Sequence, residues 1–246
     1  MRSRTTRRDF LRMMGAAAGV AVGATLPGIP PDASAATSPS PGTPEKRPLG
    51  KTGFQVGTVG FGAMTTRDPE VIRFAVDRGV DYVDTAARYM NGENERIVGR
   101  ALDGIRQKVV LATKVKIGTV DEMILSVENS LRSLKTDVID LLQLHNLSTE
   151  AEVTDGRALE AFRKLIDQGK VRAVGVTTHS GQEAVLRAVE KHGFYKTVLV
   201  GYNFRSDTGV AATVKEALGM SQGLSNTIRA VANSGIGVIA MKTQAG

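Results

Sequence analysis

From residue 47 onward, short β-branched runs alternate with longer amphipathic stretches, and that alternation is what most restricts the fold. Strand-like runs lie at 58–64, 82–85, 109–115, 138–145, 173–178, 197–203 and 237–243. The segments between them repeat apolar residues at helical spacing, as in 69–78, where Val71, Ile72, Ala75 and Val76 fall on one side. Thr119 followed by Glu122, and Ser180 followed by Glu183, have the spacing of capping boxes opening two of these helices. Parallel neighbours need a long crossover, usually a helix, so the alternation predicts a parallel sheet with helical connections. Seven such strands fit either a doubly wound sheet or a β/α barrel. Before them, Arg47-Pro48-Leu49 and Phe54-Gln55-Val56 flank Gly50-Lys51-Thr52-Gly53, which predicts a small hairpin.

The chain has 246 residues and is 41% hydrophobic, enough to bury one sizeable core. It has no Cys, which excludes thiolate nucleophiles, disulfides and Cys-ligated zinc or iron–sulfur centres. Its three His are scattered, so no metal site is expected.

The N-terminus reads as a targeting segment outside the fold. Thr6-Arg7-Arg8-Asp9-Phe10-Leu11-Arg12 is followed by a mildly apolar run of 14 residues, 13–26, and then by Ala33-Ser34-Ala35. That run is short of the roughly 20 residues a membrane helix needs. The order of basic pair, Phe-Leu, weak apolar run and Ala-x-Ala resembles a twin-arginine signal peptide. The resemblance implies export by the twin-arginine machinery, cleavage before Ala36 and a periplasmic or extracytoplasmic location. The plain alternative is a disordered basic tail. Residues 36–46, rich in Ser, Pro, Thr and Gly, read as a flexible linker, and 47–246 as the folded body.

The net charge of +7 falls to +4 once residues 1–35 are set aside. The remaining cations are spread among acids with few aromatics, so no nucleic-acid partner is expected. Two glycine patterns are also set aside. The run 235–240 matches G-x-G-x-x-A but follows a helix and opens a strand, the reverse of a dinucleotide turn. Gly50-Lys51-Thr52 lacks the first glycine of a phosphate loop and reads as a turn.

The chemistry concentrates in Asp84, Tyr89, Lys114 and His145. Asp84 closes the second predicted strand, with Tyr89 five residues on; Lys114 and His145 end the third and fourth. In a β/α barrel the C-terminal strand ends are where active sites are built. Ionisable groups ending apolar strands are costly to desolvate unless paired or functional. Singly each has a plain reading: a turn carboxylate, a packed loop Tyr, a snorkelling Lys, a satisfied core His. Together they fit one reaction.

With its surrounding motifs, this set resembles the aldo/keto reductase family over residues 47–246. The markers are Arg47-Pro48-Leu49-Gly50-Lys51-Thr52-Gly53; Gly60-Phe61-Gly62-Ala63-Met64; Tyr82-Val83-Asp84-Thr85-Ala86 with Tyr89; Gly92-Glu93-Asn94-Glu95 before Val98-Gly99; and Gly169-Lys170-Val171-Arg172-Ala173-Val174-Gly175-Val176. The resemblance implies a (β/α)8 TIM barrel that uses NADPH, or in some members NADH, to reduce aldehydes and ketones. Hydride addition to a carbonyl leaves charge on oxygen, so an acid must donate there. Tyr89 would be that acid, a Lys114 ammonium would favour its phenolate, and Asp84 would keep Lys114 charged and placed. His145 would hydrogen-bond the carbonyl oxygen, orient it and take part in relaying the proton.

The resemblance assigns cofactor contacts to Gly62, Ala63 and Met64, to Thr177 and Thr178 where the family has Ser-Asn, and to Met241 and Lys242. Leu199 replaces the usual Gln, and Met241 the usual stacking aromatic. The chain ends at Gly246, just past the seventh strand. The family continues into an eighth, so the expectation is a fragment or truncated frame whose barrel is incomplete. Two other readings stay open. One is a catalytically idle barrel serving as a binding or sensory module; the other is an isomerase or aldolase with Lys114 as Schiff base.

Overall fold

The structure is a computed structural model that describes residues 45–203 and 223–243. The basic segment 1–35 and residues 36–44 lie outside the described residues. The first described element is the expected hairpin: β1 (Lys46–Pro48) pairs antiparallel with β2 (Gln55–Gly57). Lys46 pairs with Gly57, so the hairpin begins at the last residue assigned to the linker.

Seven strands follow in one parallel sheet: β3 (Phe61–Gly62), β4 (Tyr82–Asp84), β5 (Val110–Val115), β6 (Ile139–Leu147), β7 (Val171–Thr178), β8 (Thr197–Gly201) and β9 (Gly237–Met241). Each pairs with the next in sequence order. A doubly wound sheet reverses its strand order at a switch point, and this one does not, which leaves the β/α barrel architecture. Helices α1 (Pro69–Asp77), α2 (Glu93–Ala101), α3 (Val120–Leu134), α4 (Glu150–Val153), α5 (Gly156–Asp167), α6 (Gln182–His192) and α7 (Leu224–Asn233) lie between the strands. Among the described residues no helix is long and apolar enough to cross a membrane.

The period-2 alternation of the strands divides the core into two layers. Val83, Leu111, Leu142, Leu144, Val174, Val176, Val198 and Val200 share one cluster with the buried helix faces. The opposite face contributes Tyr82, Ala112, Leu141 and Ala173, which pack with Leu49 and Val56 of the hairpin. The hairpin reaches both flanks of the sheet. Gly57 N donates to Asp81 Oδ1 at 2.7 Å just before β4, and Lys51 N donates to Gly235 O at 2.8 Å just before β9. A sheet whose second and seventh strands meet one short hairpin is curled, with its N-terminal end stoppered. The inner positions one or two pleats further along are Asp84, Lys114, Gln143, His145 and Thr177, so the same alternation that builds the lower layer aims these residues at the open end.

Helix packing follows the sequence pattern with particular exceptions. In α3 the buried residues Met123, Val127, Leu131 and Leu134 recur at i, i+4, i+8 and i+11, behind a capping box in which Thr119 N donates to Glu122 Oε2 at 2.8 Å. In α1 the buried stripe is only Ile72 and Val76; Val71 is 49% exposed, because it lies about 100° around the helix from Ile72. Ser180 does not cap α6: the N-cap is Gly181 in the left-handed region, and Ser180 O instead accepts from Thr178 Oγ1. A second capping box, Thr149 with Glu152, opens α4. The first parallel strand is two residues rather than seven; the run before it includes the exposed Val59 and Gly60, which packs on the Tyr82 ring.

Candidate active site

Lys114 is the best-sealed member of the constellation, at 2% exposure. Its Nζ bonds Asp84 Oδ2 and donates to Thr85 O at 2.7 Å. A buried ammonium without a counter-charge is costly, so these two acceptors explain how β5 can carry Lys in an otherwise apolar run. The same Nζ lies 4.7 Å from the centroid of the Tyr89 ring, and the Tyr89 ring meets His145 edge-on, with centroids 5.7 Å apart at 82°. The four residues named from the sequence therefore stand together at the C-terminal ends of β4, β5 and β6.

Gln143, on the inner face of β6, joins them: its Nε2 donates to Asp84 Oδ1 at 3.0 Å. Both carboxylate oxygens are thus held, one by Lys114 and one by Gln143. Burial raises the Asp84 carboxyl above its ordinary range, against the opposing pull of Lys114 and Gln143. The sequence carried one signal for Gln143, an amide at strand period from His145 within an apolar run.

Tyr89 sits on an unusual turn. Tyr89 N donates to Ala86 O at 3.0 Å, and then Met90, Asn91 and Gly92 all take positive φ. Glycine at 92 meets the third of these, φ 92°, at little steric cost. The turn is tied down by Asn94, which is fully buried. Thr85 Oγ1 donates to Asn94 Oδ1 at 2.6 Å; Asn94 Nδ2 donates to Ala63 O at 2.8 Å and to Thr66 O at 3.3 Å, and lies 3.8 Å from Met90 Sδ. One amide therefore joins the loops after β3 and β4, one of which carries Tyr89. Next to it Glu95, also buried, accepts from Thr113 Oγ1 at 2.6 Å beside Lys114. Burial raises its carboxyl, with Thr113 and Ser130 opposing. Sequence reasoning placed Asn94 and Glu95 in a motif without a role; their partners are distant in the chain.

Two further groups are sorted by their surroundings. Burial, reinforced by the charge of Asp84, pushes the Tyr82 phenol well above the usual range, and its buried hydroxyl has no partner among the described residues. Tyr82 is therefore unsuited to donate a proton, whereas Tyr89 is only half-buried. His145 is pushed down to about 4, first by burial and then by the charges of Lys114, Lys116, His179 and Arg88. At pH 7 only about one ring in a thousand is an imidazolium, so His145 acts as a neutral hydrogen-bonding group. Its Nδ1 is buried and has no partner among the described residues.

The positions assigned to cofactor line the strand ends on either side. Gly62 ends β3 with open space where a Cβ would stand, Ala63 is buried with its N donating to Asp84 O at 2.8 Å, and Met64 is exposed. On β7 the Thr177 hydroxyl accepts from Asn146 N at 2.7 Å and donates to no group among the described residues, while Thr178 donates to Ser180 O at 2.8 Å. Leu199 is buried on β8 between Thr177 and Ile239 in register, so no amide is offered there. Met241 ends β9, and Lys242 follows with φ 58°.

A curled parallel sheet with a stoppered lower end thus carries a Lys–Asp–Tyr–His cluster at the upper one, the end where β/α barrels build their active sites. A sequence profile of the Aldo/keto reductase family matches residues 55–245, and the chain belongs to that family. Aldo-keto reductase YhdN of Bacillus subtilis is 36% identical over 136 residues, 50% of this chain and 40% of that protein. Aldo-keto reductase AKR11C1 from Bacillus halodurans, in its holo form, superposes with a TM-score of 0.64 at 28% identity, over 80% of this chain and 66% of that one. An aldo-keto reductase from Klebsiella pneumoniae in complex with NADPH gives 0.51 at 30% identity, over 60% and 55%. The chain spans about half the length of the curated relatives it matches.

Proposed function

We propose that this protein reduces an aldehyde or ketone to an alcohol, or runs the reverse reaction, with NADP(H) as the redox partner and NAD(H) as the weaker alternative. The observation that carries the reading is the contact of Lys114 with both Asp84 and the Tyr89 ring. The inner strand ends fit a nicotinamide nucleotide: open space at Gly62, a Thr177 hydroxyl that donates to no group among the described residues, an apolar wall of Leu199 and Met241, and a cation at Lys242. When bound, the reduced nicotinamide supplies the hydride.

The chain's own residues supply position and the proton. His145, neutral at working pH, donates an N–H to the carbonyl oxygen and orients it. Tyr89 gives its phenolic proton to that oxygen as negative charge develops there, leaving a phenolate beside the Lys114 ammonium. The ammonium stabilises that phenolate by charge, and Asp84 with Gln143 holds the ammonium in place. Solvent at the open mouth then returns a proton to Tyr89.

Leu199 favours a second reading, the catalytically idle barrel, since it removes an amide the family uses. Residues 1–35 support export by the twin-arginine route and a periplasmic location, through the order of Arg7-Arg8, Phe10-Leu11 and Ala33-Ser34-Ala35. N-terminal sequencing of secreted protein beginning at Ala36 tests that point. Calorimetric titration of NADPH and then NADH into the full chain tests the cofactor assignment. Tighter binding of NADPH supports it, and a folded protein that binds neither nucleotide supports the idle barrel.

A further inference from the structure

Asn94 is fully buried and takes no part in the proton chemistry, yet every polar contact of its amide falls on a segment that builds the site. It is the second residue of α2, and helical side chains tilt toward the N-terminus, so the amide reaches back to the turn it follows. Thr85 Oγ1 donates to its Oδ1 at 2.6 Å, and Thr85 O is the carbonyl that Lys114 Nζ meets at 2.7 Å. Its Nδ2 donates to Ala63 O and Thr66 O in the loop after β3, where the proposed reading puts the nucleotide positions Ala63 and Met64. The same Nδ2 lies 3.8 Å from Sδ of Met90, the residue after Tyr89.

The Tyr89 turn needs such a support. Met90 and Asn91 have φ 52° and 53°, and non-glycine residues stay in that region only where their surroundings over-determine it. Met90 packs against the main core and meets Asn94, and the Tyr89 backbone is tied locally by one bond, from its N to Ala86 O. An amide suits the junction because it carries two donors and an acceptor in one plane, which neither a carboxylate nor a single hydroxyl supplies.

We infer that Asn94 is a positioning residue: by tying the turn at 89–92 to the loop at 63–66, it keeps Tyr89 in register with Lys114 and with the nucleotide side of the site. Its effect on rate rests on the reductase reading; the tie between the two loops rests on the geometry alone.

Two measurements on the full chain test this with Asn94→Leu, which fills a similar volume without polar atoms. The first is amide hydrogen exchange followed by mass spectrometry. Ala63 N, Thr66 N, Thr85 N and Tyr89 N each donate to a backbone carbonyl, so both loops carry protected amides. The variant should exchange about 10-fold faster over both 61–68 and 85–92, with 139–147 and 171–178 unchanged. The second is kcat at saturating NADPH and carbonyl substrate, in the wild-type and Tyr89→Phe backgrounds. Asn94→Leu should lower kcat about 10-fold where Tyr89 is present and less than about 2-fold where Phe replaces it, because a group that acts through Tyr89 has nothing left to position. A merely structural role would lower both backgrounds by the same factor. That result, no change in kcat, or faster exchange confined to one loop overturns the inference. Should the Leu variant not fold, Thr85→Val removes the 2.6 Å bond from its other end. It should show the same dependence on Tyr89 with a loss of about 3-fold, and equal losses in the two backgrounds overturn the inference as well. A folded wild type that binds NADPH but turns nothing over sinks the reductase reading, and the exchange result then decides the tie by itself.

Discussion

Replacing Gln143 with Leu sets two buried effects against each other. Gln143 Nε2 donates to Asp84 Oδ1 at 3.0 Å, while its buried Oε1 has no partner among the described residues. Losing a hydrogen bond to a carboxylate costs about 1.5–3 kcal/mol, and removing a buried orphan oxygen relieves about 1–3 kcal/mol. Leu also fills much of the same volume. Global stability should therefore change by less than about 1.5 kcal/mol. Asp84 has no such compensation. Its side chain is only 14% exposed, burial already raises its carboxyl, and Gln143 is one of the groups opposing that rise. Without the amide the carboxyl should titrate higher still, because a hydrogen bond that favours its charged form is gone. Once Asp84 is protonated, Lys114 loses its counter-charge. The acid limb of the kcat/KM–pH profile should move to higher pH, while urea unfolding at pH 8 stays near wild type. A large fall in stability with an unmoved acid limb would show that Gln143 only packs, and the reasoning about Asp84 would be wrong.

Two further outcomes follow from burial and close approach. His145 titrates near 4 in the folded chain against an ordinary 6.5. A depressed folded value means the stabilisation is complete above pH 6.5 and is lost as pH falls toward 4. Allowing for screening at the partly open mouth, roughly 1–2 kcal/mol should disappear over that window. His145→Asn should flatten that part of the stability–pH curve measured by urea unfolding; an unchanged curve would assign the loss to other groups. Gly50 has φ 53°, and a Cβ there would lie 2.2 Å from Gly237 N. Gly50→Ala should therefore lift the hairpin off β9 and cost about 2 kcal/mol or more, read as a lower thermal midpoint. A midpoint within a degree of wild type would mean that the hairpin does not stopper the barrel.

What the sequence made legible was whatever a local pattern encodes. Strand–helix alternation located all seven parallel strands, and strand ends brought Asp84, Lys114 and His145 to one rim. The hairpin at 50–53 and the Thr119 cap were also readable, since their partners lie within a few residues. Ser180 fails as a cap because Gly181 passes Ser148 O too closely for any side chain, which is a tertiary fact. Asn94 and Glu95 stayed silent for a similar reason, and Gln143 showed only its strand period from His145. Gln143 acts on a carboxylate 59 positions away, and Asn94 on carbonyls 28 and 31 positions away, so no spacing rule could connect them. The buried phenol of Tyr82 shows the converse: in sequence it is as plausible a donor as Tyr89, and only its burial beneath Asp84 removes it.

On the proposed reading Tyr89, held beside Lys114 and His145, gives the proton that completes carbonyl reduction. Carbonyl-dependent oxidation of NADPH, followed with wild type and Tyr89→Phe under the same conditions, tests it most directly. Phe keeps the ring that meets Lys114 and His145 but has no proton to give. Turnover by wild type is expected, with a loss of about 10²–10⁴-fold in kcat for the variant and NADPH affinity retained. Equal turnover by both proteins, or none by a folded wild type that binds NADPH, would contradict it.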